Sequence, residues 1–192
     1  MISARTVANT TPYAWPFDGT VDASSTALVI AGCDPVTAAR TPFDPAATAN
    51  IDLLRDRLAA IGVLVVLVHH STPTSHGAPS VPDAPSAPLV ARPGELTIDA
   101  AGLDGFYGSA LDATLRRSGR SHLLLAGLGF ETAVHSTLRR ANDRGYECLT
   151  VADACACGDP DLRRAAISSI EMSGGIFGAV GTTADVLAAH AT

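Results

Sequence analysis

The sequence predicts a three-layer α/β/α domain built on a Rossmann-like, mostly parallel sheet of about six strands. Three observations carry this. Apolar runs of strand length (TALVIAG from Thr26, VLVVLV from Val63, HLLLAGL from His122) lack polar alternation, as strands covered on both faces require. Segments of helical periodicity separate them, and glycine or Asp-Pro marks most junctions. The 192 residues are 47% hydrophobic and 17% charged, enough to bury the core of one ordinary domain.

In chain order, residues 1–25 read as an N-terminal extended arm. Pro12, Tyr13, Trp15, Pro16 and Phe17 suit a segment that lays aromatics on its own domain or, in a sharper reading, on a neighbouring subunit. A single domain then occupies 26–192. Thr26–Gly32 is the first strand, ended by glycine and Asp34-Pro35. Asp44-Pro45 opens a helix through about Ile61, along which Ile51, Leu53, Leu54, Leu58 and Ile61 recur at helical spacing. Val63–Val68 is the second strand, which completes a βαβ unit. Residues 71–93 are rich in Pro, Ser and Ala and read as a long surface loop. Leu96–Ile98 gives a short third strand and Phe106–Arg117 a helix. After the strand from His122, Glu131–Arg144 reads as a helix and Cys148–Ala152 as the next strand. Asp159-Pro160 caps a helix to about Met172, Ile176–Val180 is the last strand, and Thr183 caps a closing helix.

Composition excludes some classes of function. A net charge of −6 with no basic patch argues against nucleic acid as a partner. No apolar run reaches the ~18 residues that span a bilayer, so no membrane role is expected. The N-terminus lacks the apolar core of a secretory signal. Cys33, Cys148, Cys155 and Cys157 are spaced as neither a disulfide framework nor a zinc pair. The expectation is a reduced, cytoplasmic protein without cofactor or bound metal.

The chain is organised around Ser121–Thr137, SHLLLAGLGFETAVHST, a strand, a glycine-flanked turn and a helix start. In a parallel α/β protein, chemistry gathers where strand ends meet helix N-termini. Together with PYAWPFDG, TALVIAG, GFYGSALDATLRRSG, the continuation LRRANDRGYECLTVADACA, and GGIFGAV, this stretch resembles the isochorismatase-like cysteine hydrolases. Within them it is most similar to biuret hydrolase and related ureide amidases. The resemblance covers most of the chain except 33–93, where the order of elements fits but the residues do not.

The resemblance implies a catalytic triad: an aspartate after the first strand, a lysine shortly before the phenylalanine of the following helix, and a nucleophilic cysteine after the glycine turn. Matched motif to motif, these fall on Gly32, Ala100 and Ala133. None of the three carries a titratable group, so no tuning of pKa yields an acid, base or nucleophile there. The 71–93 loop also looks shorter and poorer in charge than the family's substrate-enclosing region. The catalytic assignment is therefore none, and a catalytically inactive structural or regulatory subunit is expected. Self-association as a dimer or tetramer follows from the resemblance, as does a possible active paralogue as partner, with the Trp15 arm and the helices after Phe106 and Glu131 as contacts.

Two alternatives stay open at this level. Relocated chemistry on small amides or ureides needs Cys33, Cys155, His69 or His70 in the pocket. Cys33 follows Gly32 and should face the other way in an extended strand. His69, His70 and His76 lie near the expected pocket mouth without the Asp-x-His of the zinc-binding relatives. Asp34, Asp99 and Asp104 are nearby carboxylates. Glu131 suits a helix N-terminus, and His135 reads as a packing residue. The other alternative is a small-molecule binding module: the Thr132 and Ala133 amides form an anion cradle in an apolar pocket lined by Ala100, Phe106, Phe130 and Ala133.

Overall fold

A computed structural model describes residues 5–71 and 82–190. Its sheet is six-stranded, with β1 (Thr26–Ala31), β2 (Leu64–His70), β3 (Leu96–Ala100), β4 (His122–Leu128), β5 (Glu147–Ala156) and β6 (Ala179–Gly181). The order is β3-β2-β1-β4-β5-β6 and every pairing is parallel. The central β1 and β4 carry only buried side chains, apart from the half-buried His122 at the entry to β4.

Helices cover both faces. They are α1 (Pro35–Arg40), α2 (Pro45–Ala59), α3 (Leu111–Arg117), α4 (His135–Asp143), α5 (Pro160–Glu171) and α6 (Thr183–His190). Ile51, Leu54 and Leu58 of α2 and Val186 of α6 pack on one face with Leu28 and Ile30 of β1. On the other face, Leu111 and Leu115 of α3, Leu138 of α4 and Ile170 of α5 pack with Ala27, Val29 and Ala31. The period of two along β1 thus divides its residues between two cores.

The expected caps form. Asp44 accepts from the Ala47 amide and Asp159 from the Asp161 amide, each ahead of a first-turn proline. The structure differs from the sequence-level expectation in several places, among them the last strand, which is only Ala179–Gly181 rather than Ile176–Val180. Asp34-Pro35 does more than end a strand: Asp34 caps α1, accepting from the Thr37 amide. Phe106–Ala110 is not helical, because Gly108 takes a left-handed φ of 59° and the helix starts only at Leu111. β5 runs on to Ala156 through a register shift against β4 between Leu125 and Gly127.

The N-terminal arm packs on its own domain. Thr11 and Val180 exchange backbone hydrogen bonds of 3.0 and 2.8 Å, which covers part of the outer edge of β6. Trp15 is 0% exposed within the α2/α6 core, with its ring edge-on to His122 at 5.6 Å. Its side chain is covered by its own domain.

Of the loop expected at 71–93, residues 72–81, with His76, lie outside the described residues. The remainder is tied down: Phe43 donates to the Ala84 carbonyl, Ser86 to Thr41 and Leu89 to Cys33.

Candidate functional site

Strand order reverses between β1 and β4, and their carboxyl ends form the switch point where open parallel sheets bind ligands. The two strand ends approach unusually closely. Gly32 has φ 72°, and a Cβ there would lie 2.2 Å from the Leu128 carbonyl oxygen. Gly127 has φ 137°, and its Cβ would lie 2.0 Å from the Ala31 oxygen. Both positions exclude a side chain on this backbone. Gly129, at φ 66°, then turns the chain into a single wide turn of π-type helix, Phe130–Val134, which leads into α4.

In that turn the Thr132 amide is not free to serve the predicted cradle. The Thr132 amide and hydroxyl both turn back onto the Gly129 carbonyl, at 3.0 and 3.2 Å, and the Val134 amide reaches the same oxygen at 3.3 Å. The Thr132 N–H is thus spent within the turn, and Ala133 is fully buried.

Ala100, Phe106, Phe130 and Ala133 are all buried and belong to one continuous core with Val66, Val68 and Leu125. Phe106 and Phe130 are packing residues here rather than the walls of an open cleft. Ala31 belongs to this same core; its side chain, unlike position 32, faces the layer that holds Ala100 and Ala133.

The side chains considered as substitutes fall into separate places. Cys33 lies in the opposite core, and its thiol points to the Ile30 carbonyl at 3.1 Å, so it is not part of this site. Cys155 shares the site's face but is sealed, donating to Val151 at 3.3 Å. Burial pushes both thiols up, away from the reactive thiolate. Cys157 is half-buried, and burial and Glu131 raise it to about 11. His69 pairs loosely with Asp99 at 3.6 Å. Asp104 is engaged by Arg140 at 2.9 Å. His135 is half-buried, and burial and Arg139 lower its pKa. Among the described residues no group of three or more His, Cys, Asp or Glu could hold a metal ion.

Like Cys155, His70 brings an ionisable side chain to the site's face at the strand ends. It follows Val66 and Val68 at a period of two and is the register partner of Ala100. Nδ1 lies 3.0 Å from the Gly102 carbonyl, which can only accept, so Nδ1 carries the proton. Nε2 is left as a buried acceptor with no partner among the described residues. Burial pushes the imidazole's pKa down against the opposing pull of Gly102, Asp34 and Asp104, and the ring is neutral at pH 7.

Asp34 is the member of this neighbourhood whose structural role the sequence did not reveal. One oxygen accepts from the Thr37 amide at 2.8 Å, the other from the Thr37 hydroxyl at 2.9 Å and the His70 amide at 3.0 Å. Burial pushes its carboxyl up, but these hydrogen bonds more than offset that and hold it below the usual range. With its oxygens so engaged it joins α1 to the end of β2. The local signal was an Asp-Pro with Thr three residues after the Asp, the mark of a helix N-terminus.

Comparison with known proteins agrees with this architecture. The isochorismatase domain family matches residues 26–185. A ureidoacrylate amidohydrolase RutB of Methylobacterium radiotolerans is 37% identical over 84 residues, which are 43% of this chain and 33% of that protein. The RutB of Caulobacter vibrioides is 36% identical over 98 residues, 50% of this chain and 42% of its own. The chain thus covers less than half the length of these relatives. Among solved structures, an isochorismatase family protein from Burkholderia thailandensis superposes with a TM-score of 0.73 at 26% identity, covering 90% of this chain and 98% of its own. A cysteine hydrolase from Pseudomonas syringae shares the fold, with a TM-score of 0.67 at 18% identity over 88% of this chain and 93% of its own. A six-stranded parallel sheet with helices on both faces and a family match across 26–185 lead to one conclusion: the chain belongs to the isochorismatase family.

Proposed function

We propose that this chain is a catalytically inactive member of its family, acting as a structural or regulatory subunit in a homo- or hetero-oligomer. One observation carries the reading: Ala31, Ala100 and Ala133 all belong to one buried apolar core, where thiol-based amide hydrolysis would need a base, a cation and a nucleophile. Ala31 suits the aspartate position better than Gly32, because only residue 31 directs a side chain toward Ala133's layer. Small residues at all three positions let Phe106 and Phe130 pack into a continuous core.

The relocated-hydrolase reading loses support from the placement of Cys33 and Cys155, and the binding-module reading from the burial of the supposed pocket walls. Sedimentation of the purified chain tests the subunit role. The expected result is a dimer or tetramer, alone or with an active paralogue co-purified from the native host. A monomer at every concentration, with no co-purifying relative, would overturn it.

A further inference from the structure

A second concave site lies at the opposite edge of the sheet, where Glu147 opens β5. It is a pocket of about 250 Å³ lined by Pro12, Tyr13, Phe17, Glu147, Gly174 and Gly175. The rings of Tyr13 and Phe17 stand nearly perpendicular, at 85° with centroids 5.6 Å apart. Glu147 is held between them: its Oε1 accepts from the Tyr13 hydroxyl at 2.8 Å and from the Phe17 amide at 3.1 Å. Its other oxygen takes no hydrogen-bond or ion-pair partner among the described residues.

We propose that this pocket binds a small organic cation, an alkyl- or quaternary ammonium, with Glu147 as counter-ion and Tyr13 and Phe17 as aromatic walls.

Aromatic faces carry negative quadrupole density, which attracts a cation placed over them. A fixed carboxylate with one oxygen uncommitted supplies the opposite charge. No basic residue lines the pocket. The local field is anionic: burial first, then Glu147 and Asp18, push the Tyr13 hydroxyl up, so it remains a protonated donor holding the carboxylate. Gly174 and Gly175 keep the far wall low; a Cβ on Gly175 would come within 3.1 Å of the Tyr13 ring. The volume is below the ~300–1,000 Å³ of drug-sized sites, which favours a compact cation. The site stands at the amino edge of the sheet, away from the Gly129 turn, so it is independent of whether the chain has lost catalysis.

NMR titration of the full chain with choline chloride and tetramethylammonium chloride, against sodium chloride at equal ionic strength, tests it. Saturable shifts in Tyr13 and Phe17 are expected for both cations. The neutral isostere 3,3-dimethylbutan-1-ol should bind at least about tenfold more weakly than choline, a difference of about 1.4 kcal/mol. Glu147→Gln, which keeps an acceptor for Tyr13, should weaken choline binding by a similar factor. Phe17→Ala should also weaken it, and because Phe17 is 79% exposed that variant leaves the core intact even if Glu147→Gln does not fold. Absence of saturable choline binding, equal binding of the neutral isostere, or wild-type affinity in Phe17→Ala would each overturn the proposal.

Discussion

His70 shows how one residue can sit at the right place for chemistry and still be governed by packing. Its Nδ1 proton is committed to Gly102, its Nε2 is buried, and its pKa is lowered by burial. The direction fixes a pH dependence. An unfolded histidine titrates near ~6.5, so as pH falls through that value the unfolded chain takes up a proton that folded His70 refuses. Stability is therefore lost on acidification from about pH 7, and the half-buried His135 and His190 act in the same direction. Asp34, held below the usual range, adds a further loss only below the ordinary carboxylate region near ~4. Melting temperatures at pH 7.5 and 5.5 check the assignment. The wild type should drop between them, and His70→Asn, which keeps a donor for Gly102, should drop by less. An equal drop would mean that His70 titrates as it does in the unfolded chain.

At the scale of elements, the approach of β1 to β4 rests on backbone conformations that only glycine adopts without strain. Gly32 and Gly62 both have positive φ, but a Cβ at Gly32 meets the Leu128 carbonyl at 2.2 Å whereas one at Gly62 meets nothing within 4 Å. Gly62→Ala should then lose roughly 1–2 kcal/mol from the left-handed backbone alone, and Gly32→Ala distinctly more. Urea unfolding of the two variants measures the difference, and equal losses would contradict the close approach. The strands and the Asp-Pro caps were legible in the sequence because unbroken apolar runs and first-turn prolines each have one simple structural meaning. The burial of Ala100, Phe106, Phe130 and Ala133 was not. A sequence places Ala100, Phe106, Phe130 and Ala133 near one another but cannot say whether Phe106 lines a cleft or fills it. That depends on Gly108 delaying α3 and on a wide turn drawing Thr132 back onto Gly129. The arm was legible as extended, but only the Thr11–Val180 pairing and the burial of Trp15 showed which surface it covers.

Across the whole molecule, the sheet keeps the family's architecture while the residues at its switch point are those of a core. Helices on both faces, the order β3-β2-β1-β4-β5-β6 and the reversal between β1 and β4 all provide a ligand-binding crevice in principle. In this chain Ala31, Ala100 and Ala133 are buried in one apolar core, and the thiols considered as substitutes are buried or face elsewhere. Hydrolysis of an amide at neutral pH without a base or an activated nucleophile forfeits the ~10²–10⁴-fold that general acid-base catalysis alone contributes, and covalent catalysis with it. The measurement that bears most directly on this is ammonia release from ureidoacrylate, biuret and simple amides by the purified chain at high enzyme concentration, beside an active RutB enzyme. No release above the buffer rate is expected from this chain, and none from an Ala133→Cys variant that still lacks the base and the cation. Saturable turnover by the unmodified chain, abolished by substitution of His70 or Cys157, would contradict it.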